Sequence, residues 1–476
     1  MTAALRITGV WIGVIGVAVL LGALVVINPQ VAFVATLVAL GASALAAPAG
    51  YWVLAALVAA LTFRGLVSLG ALPSVATYVD IPLAWGALAA ALLRTRLGRT
   101  RPDWLRRQLL WLMLLGVVVL ASWAFSNAEL IRPFLYFALL AEPFALVAAL
   151  VLDPPPPRLR RALIGTAVAL VVVQIPVGLW QATTLGLADS VQGTLYGAGA
   201  GAHTMSAVAV VGAIWLALSR AFPRVCRWVL VFLLALLPFL ADAKQVIFAI
   251  PAILIVGRWT TPKDILVRTT AVAGAVAALI FLAPAGMTAV SFLEKARSGQ
   301  GGKEEAARVV WDRATRDPAN LVFGQGPAMT VSRSAFMSTD LLLRPDSPLR
   351  VLDLRPAQLA LEAQGSALST SGGGSSFNSG LSSALGVFGD IGVAGFVAYA
   401  GLLGSVLLAV RKTASPEGIA AAAGLAMFTV LGLVFDWWEQ PPFSVFLAVL
   451  AGLALSQARS TAGPQAPDPP RRPESE

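Results

Sequence analysis

The chain has 476 residues, of which 58% are hydrophobic and only 12% are charged, and its mean hydropathy is +0.81. Soluble domains carry about 25% charged residues, so this composition excludes a soluble globular protein and predicts an all-α polytopic membrane protein. The net charge of +10 does not indicate a nucleic-acid partner, because the basic residues lie in short loops between apolar runs.

A membrane-spanning helix needs about 20 apolar residues, and about 14 apolar runs can be drawn along the sequence. The runs at 31–46 and 245–257 are short. The first run is too long for a cleavable signal peptide, and further helices follow it. The predicted runs lie near residues 8–27, 31–46, 51–70, 75–93, 109–125, 133–152, 162–181, 204–219, 228–241, 245–257, 269–288, 383–410, 418–435 and 443–457.

The basic loops all fall on one side of these runs, and cytoplasmic loops of membrane proteins carry an excess of Lys and Arg. Both termini are therefore predicted to be cytoplasmic. The chain divides into an N-terminal transmembrane bundle (1–288), one large extracytoplasmic loop carrying short helices (289–380), C-terminal transmembrane helices (381–457) and a disordered cytoplasmic tail (458–476). The basic loops contain Arg94, Arg96, Arg99, Arg101, Arg106 and Arg107, then Arg158, Arg160 and Arg161, then Arg220, Arg224 and Arg227, then Arg258, Lys263 and Arg268, and finally Arg411 and Lys412.

Several ionisable residues lie within apolar runs or at their ends, where a charge is costly and usually functional. The alternative is that they pair with one another and fix the helix packing, and Arg64 with Asp80 is one such candidate pair. Lys244 lies in an external turn, FLADAKQVIF, and is a candidate anion ligand. The six residues of this group are Arg64, Asp80, Arg132, Glu142, Asp436 and Glu439.

The single histidine, His203, ends a glycine-rich external segment, VQGTLYGAGAGAHTMS (191–206). A glycine-rich loop that leads into a helix N-terminus offers backbone N–H groups to an anion. This histidine is either part of an active site or an interfacial residue without a role.

The polar segment 289–380 contains a predicted amphipathic helix, EEAARVVWDRATR (304–316), which is expected to end near Asp317-Pro318. The following NLVFGQGPAM (320–329) predicts a strand-like run that enters a tight turn at its glycines. Arginines bracket the turn, and their planar side chains suit phosphate oxygens. They form either an anion-binding face or the solvated side of a helix. These arginines are Arg308, Arg313, Arg316 and Arg333.

A Ser/Gly-rich stretch, SALSTSGGGSSFNS (366–379), leads into the next apolar run and is either a linker or a mobile lid. It ends at Asn378-Ser379, nine residues before Gly389-Asp390-Ile391-Gly392. Together with the WDRATRDPANLVFGQGP segment, this pattern resembles the O-antigen ligase and O-antigen polymerase family. That family has W-x-x-A…P-x-x-x-x-F-G-x-G-P and a later His-(Asn/Ser/Gln)-x9-Gly-x-x-Gly. The residues that carry the resemblance are Trp311, Ala314, Pro318, Phe323, Gly324, Gly326, Pro327, Asn378, Ser379, Gly389 and Gly392.

The resemblance implies a glycosyltransferase of the bacterial inner membrane. Its donor is a glycan on undecaprenyl pyrophosphate, and its acceptor is a hydroxyl on another glycan, a glycolipid or a protein. Membrane lipids are further partners. The family's histidine is Asn378 here, and asparagine does not accept a proton at neutral pH. The residues expected to orient the acceptor are Asn378, His203 and Asp390. Those expected to bind the pyrophosphate are Lys244, Arg308, Arg313, Arg316, Arg333 and Arg132.

No cofactor is expected, since the sequence has no P-loop, H-E-x-x-H or Cys/His metal motif. The first external turn, near Asn28-Pro29, also lacks the acidic pair that metal-dependent membrane glycosyltransferases use, so the reaction is predicted to be metal-independent. The alternative from another class is a transporter or flippase of lipid-linked glycans, in which membrane-depth charges line a pathway. A third possibility, a peptidoglycan-type polymerase, lacks its motifs here.

Overall fold

The computed structural model describes residues 47–95, 102–126, 128–196, 201–219, 222–243, 245–246, 249, 302–335 and 382–461. Throughout these residues the regular structure is helical, as the composition predicts. The helices are α1 (Ala49–Ser68), α2 (Asp80–Arg94), α3 (Asp103–Ala124), α4 (Ile131–Leu152), α5 (Pro157–Val172), α6 (Gln174–Thr184), α7 (Gly201–Leu218), α8 (Arg224–Leu240), α9 (Gly302–Arg316), α10 (Pro318–Phe323), α11 (Ser383–Val410), α12 (Pro416–Val434) and α13 (Pro441–Thr461). Short 3-10 turns occupy Ser74–Tyr78, Ala188–Ser190, Gly193–Leu195 and Trp437–Glu439.

Nine candidate membrane spans, long and apolar enough to cross a bilayer, occur in the described part of the chain. They correspond to nine of the predicted runs and indicate a membrane protein. The predicted run 228–241 lies in α8, whose 17 residues make it shorter than these nine. The runs at 8–27, 31–46 and 269–288, and nearly all of 245–257, lie outside the described residues, so the total of about 14 and the full extent of the large loop stay predictions.

Proline marks where several helices begin. Pro48, Pro102 and Pro223 immediately precede α1, α3 and α8, while Pro318 and Pro416 are the first residues of α10 and α12. Proline suits this position because its φ is already helical and the N–H it lacks has no partner in the first turn. The prolines between the apolar runs therefore set many of the helix starts.

The core of the bundle is built around α4, which packs against α13, α2 and α3 and is buried from Leu139 to Leu152. At one end of the bundle, here called the far end, Arg94 pairs with Asp153 at 3.2 Å and Arg160 bonds Gln457. At the other end, here called the loop end, residues 302–335 lie against α3 and α11. The ionisable residues of the candidate site belong to the loop end.

The prediction of a strand-like run after Pro318 was wrong, because residues 318–323 form α10. Asp317 caps this helix by accepting a hydrogen bond from the N–H of Ala319, and Pro318 occupies its first position. A capping aspartate followed by proline is a strong helix start, and it overrides the β-propensity of Val322 and Phe323. The predicted end of the preceding helix is confirmed, since α9 ends at Arg316.

Candidate anion site at the loop end

A kink in α11 receives the glycine loop that follows α10. Gly392 has φ 67° and interrupts the helix. Just before it, the carbonyl of Gly389 accepts from the N–H of Gln325 at 2.8 Å, and the carbonyl of Asp390 accepts from the N–H of Gly326 at 3.1 Å. The Ser122 hydroxyl of α3 donates to the same Asp390 carbonyl at 2.7 Å. The two segments that carry the family-like motifs therefore contact each other.

The motif glycines allow this close approach. A Cβ at Gly324 would overlap the backbone of Asp390, and a Cβ at Gly392 would overlap the backbone of Val322. Both glycines also have positive φ, a conformation that residues with a Cβ adopt at a cost. Tight backbone packing thus accounts for these glycines without any direct part in chemistry.

The Asp390 carboxylate holds the loop in place. One of its oxygens, Oδ1, accepts from the N–H of Met329 at 3.1 Å and from both the N–H and the hydroxyl of Thr330 at 2.7 Å each. The Ser332 hydroxyl also interacts with this carboxylate. The other carboxylate oxygen, Oδ2, has no hydrogen-bond partner among the described residues. Asp390 is fully buried, so the structure places this predicted catalytic residue as the anchor of the loop.

Arg132 anchors the loop from the α4 side. Its side chain is 1% exposed, pairs with Glu129, and donates from Nη1 to the carbonyl of Ala328 at 2.9 Å. Ala328 has φ 57°, a left-handed conformation that a non-glycine residue adopts only when its surroundings impose it. Arg132 and Asp390 thus form hydrogen bonds to neighbouring residues of one turn, in which Ala328 has a strained backbone conformation.

Arg333 lies directly after this turn and is bound by two acidic residues. Its guanidinium Nη1 pairs with Asp436 at 3.0 Å, and its backbone N–H donates to Glu439 at 2.6 Å. The Ser334 hydroxyl donates to the other oxygen of Glu439 at 2.8 Å. The pKa of Glu439 is raised from 4.5 to about 7, mainly by burial; the donors from Ser334 and Arg333 oppose this shift, and the nearby carboxylates of Asp390 and Asp436 add to it.

Arg64 of α1 interacts electrostatically with Arg333, and the two positive charges repel each other. Arg64 is 8% exposed. It also interacts electrostatically with Asp80 and Glu142. The predicted Arg64–Asp80 pair is thus a through-space interaction rather than a direct ion pair in the described structure.

An anion bound near both arginines would offset this repulsion and accept charge-assisted hydrogen bonds from them. The sequence offered Arg64 only as one of several membrane-depth charges. Its electrostatic interaction with Arg333 joins residues that are far apart in the chain. The one available signal was the arginine's position in the last turns of an apolar helix.

The arginines of α9 lie outside this buried cluster. The helix buries Ala306, Val310 and Ala314 and packs against Val331 and the first turns of α11, and Trp311 stacks on Phe388 at 6.0 Å. The predicted amphipathic pattern is confirmed. Arg308 and Arg316 are exposed and Arg313 is half-buried.

The remaining predicted site residues lie elsewhere. His203 is in the first turn of α7, half-buried, and takes no part in the hydrogen bonds of the loop given above. Lys244 and Asn378 lie outside the described residues. Gln245, the neighbour of Lys244 in sequence, accepts a hydrogen bond from the indole N–H of Trp437 at 3.1 Å and so belongs to the turn that carries Glu439. No group of three or more potential metal ligands occurs in the described part of the chain.

Comparison of the sequence with models of known protein families finds no match, and no curated protein matches it. The resemblance to the O-antigen ligase and polymerase family therefore rests on the motif residues alone.

Proposed function

We propose that this protein is a membrane glycosyltransferase that moves a glycan from undecaprenyl pyrophosphate to a sugar hydroxyl, as a polysaccharide polymerase or a ligase. The acceptor oxygen attacks the anomeric carbon, the bond from that carbon to the diphosphate oxygen breaks, and the lipid pyrophosphate leaves. A single displacement of this kind inverts the anomeric centre. The main electrostatic demand is to stabilise the negative charge that grows on the leaving group.

The observation that carries the proposal is the convergence of arginines at the loop end. Arg64, Arg132 and Arg333 come from three separate parts of the chain. Arg132 bonds the loop that bears the motif glycines, Arg333 directly follows that loop, and Arg64 interacts electrostatically with Arg333. The alternative, a transporter or flippase, requires charged groups distributed along the bundle from end to end. In the described structure the buried groups Arg132, Asp390 and Glu439 lie at the loop end, while the far end holds the partly exposed pair Arg94 with Asp153 and exposed basic residues such as Arg106, Arg158 and Arg411.

The geometry supports different roles for these residues, namely binding the anion and positioning the loop. Arg64 and Arg333 face the anion, since Arg64 is only 8% exposed and Arg333 Nε is buried without a hydrogen-bond partner in the described residues. Arg132 and Asp390 position the loop. Asn378 and His203 as acceptor-orienting residues, and Lys244, Arg308, Arg313 and Arg316 as pyrophosphate ligands, stay predictions.

No general base is required at the start of this reaction. Pyrophosphate is a good leaving group, so the acceptor hydroxyl need not lose its proton until late in the transition state. This fits an asparagine at position 378. Side-chain cations take the part that a divalent metal plays in other membrane glycosyltransferases, so transfer should persist in excess EDTA.

The proposal is tested with purified full-length protein in detergent, given an undecaprenyl-pyrophosphate oligosaccharide. Transfer is expected, and ladder growth identifies a polymerase while transfer of a whole block to another lipid identifies a ligase. Removing one charged donor from a water-excluded site costs about 100- to 1000-fold in rate, so Arg333→Ala and Arg64→Ala are each expected to lose that much. Arg333→Lys should recover only part of it, because an ammonium group does not bond in a bidentate way.

Arg94→Ala is the matched control, since it removes an arginine of the same kind at the far end and should leave the rate nearly unchanged. Absence of transfer by the wild-type protein, together with movement of the lipid-linked substrate across a vesicle membrane, would replace the proposal by the transporter alternative.

A further inference from the structure

Four helix ends meet at one corner of the far end. Arg94, the last residue of α2, pairs at 3.2 Å with Asp153, which directly follows α4. The N–H of Ala49, the first residue of α1, donates to the same carboxylate oxygen at 2.9 Å. Next to Ala49, a Cβ at Gly50 would overlap the side chain of Leu159, near the start of α5. These contacts hold the ends of α1, α2 and α4 against the start of α5.

The start of α5 brings an excess of positive charge to this corner. Arg158, Arg160 and Arg161, here called the basic corner, lie close together in the sequence, and the first turn of α5 has no acidic residue. The nearby Asp153 carboxylate is already occupied by Arg94 and by a backbone N–H. Three positive charges therefore share this part of the surface, and Arg158 and Arg161 are exposed.

These arginines do not stabilise the helix that carries them. The N-terminus of a helix bears a partial positive charge, so cations in the first turn are unfavourable there. Residues three apart are also neighbours on a helix surface, so Arg158 and Arg161 repel each other. An anion bound to both would offset the two kinds of repulsion. The arrangement is thus typical of a surface that binds an anionic partner.

The basic corner lies at the level where membrane spans end. Arg160 donates to the side chain of Gln457, near the end of α13, at 2.6 Å, so this helix also reaches the corner. Large apolar side chains are exposed beside it, with Leu93 of α2 at 72% and Tyr51 of α1 at 55%. The ends of a span lie in the headgroup region of a bilayer, where the lipid phosphates are. The candidate spans that begin or end at this corner are Ala49–Ser68, Ala76–Arg94, Ile131–Leu152, Pro157–Thr184 and Pro441–Ala458.

We propose that the basic corner binds the phosphate headgroup of an anionic phospholipid. Basic pockets between membrane helices are suited to such headgroups, and the guanidinium groups of Arg158 and Arg161 form charge-assisted hydrogen bonds to phosphate oxygens. The acyl chains lie along the exposed apolar side chains of α1 and α2. A free phosphate would use the arginines but not this apolar surface, so a lipid fits the corner better. The site is at the opposite end of the bundle from the loop and is independent of the proposed transfer reaction.

The experiment measures lipid binding to the delipidated full-length protein in detergent by native mass spectrometry. The protein is titrated with phosphatidylglycerol or with phosphatidylcholine of the same acyl chains. Both lipids contain a phosphate, but the choline group cancels its charge. Phosphatidylglycerol is expected to bind more tightly, and inorganic phosphate at the same concentration as the lipid is expected to leave it bound.

Variants then locate the site. Each arginine near an anionic membrane surface strengthens binding by about fivefold, so Arg158→Gln/Arg161→Gln should bind phosphatidylglycerol about 25-fold more weakly and should lose the preference over phosphatidylcholine. Arg224→Gln is the matched control, because Arg224 is also an exposed arginine at the start of a far-end helix, α8. This control should bind the lipid as the wild type does. Gel filtration establishes that each variant is folded.

Three results would overturn the lipid site. The first is equal affinity of the wild type for the two lipids, and the second is displacement of phosphatidylglycerol by an equal concentration of inorganic phosphate, which would show a site for free phosphate. The third is a loss of affinity in Arg224→Gln as large as in the double variant, which would show a general attraction to the positive face. If the double variant does not fold, Arg158→Gln serves in its place, and an affinity unchanged from the wild type, instead of about fivefold weaker, contradicts the proposal.

Discussion

Replacing Asp390 tests whether this residue positions the loop or takes part in chemistry. Asp390→Ala removes the acceptor for the N–H groups of Met329 and Thr330. A buried N–H left without an acceptor costs about 1–3 kcal/mol. Thr330 is fully buried and Met329 is half-buried, so we assign about 2 and about 1 kcal/mol to them. The Thr330 hydroxyl is free to rotate towards another acceptor and adds nothing to the sum.

The expected loss is therefore about 3 kcal/mol of unfolding free energy, measured by denaturant titration in detergent. Asp390→Asn keeps an acceptor of the same shape but a neutral one, and hydrogen bonds to neutral acceptors are roughly half as strong, so this variant should lose about 1 kcal/mol. The loop 324–334 should also become sensitive to limited proteolysis in Asp390→Ala before the bundle unfolds.

Activity measurements then separate the two roles. A positioning residue predicts that transfer falls in the order of stability, with Asp390→Asn retaining most of its rate. A catalytic carboxylate predicts that Asp390→Asn is as inactive as Asp390→Ala despite its greater stability. Equal stability and equal protease resistance of Asp390→Ala and wild type would refute the reasoning from the hydrogen bonds.

Three other predictions concern pH, charge and topology. Burial raises the pKa of Glu439 from 4.5 to about 7, so between these pH values the native state holds a proton that the unfolded state has released. The free energy of unfolding should therefore fall by about 3 kcal/mol as the pH rises through this range. Glu439→Gln should abolish this fall in denaturant titrations repeated across pH. Arg316→Ala removes an exposed charge of α9. The variant is expected to transfer the glycan about tenfold more slowly at low salt, and this difference should shrink at high salt because salt screens the attraction between Arg316 and the anion. Cysteine in place of the exposed Thr315, with Cys226 replaced by serine, should react with a membrane-impermeant thiol reagent in intact cells; labelling only after lysis would show that the topology is inverted.

Much of the helical architecture follows from the sequence alone. Runs of about 20 apolar residues bury their backbone hydrogen bonds only as helices in a bilayer, and prolines such as Pro48 and Pro416 mark where helices begin. The amphipathic period of α9 likewise identifies its buried face, Ala306, Val310 and Ala314, because that signal is local. Residues 320–323 are helical and not strand-like, because the Asp317 cap and Pro318 start a helix there.

The candidate site was decided by tertiary structure. Arg64 and Arg333 are far apart in the chain, and no local pattern in the sequence indicates that their charges act on each other. The same holds for Asp390, whose motif position suggested chemistry but whose carboxylate binds the backbone of Met329 and Thr330. Hydropathy and spacing report which residues are costly to bury; only the packing of the helices determines which of those residues share one low-dielectric space, and it is there that their charges act together.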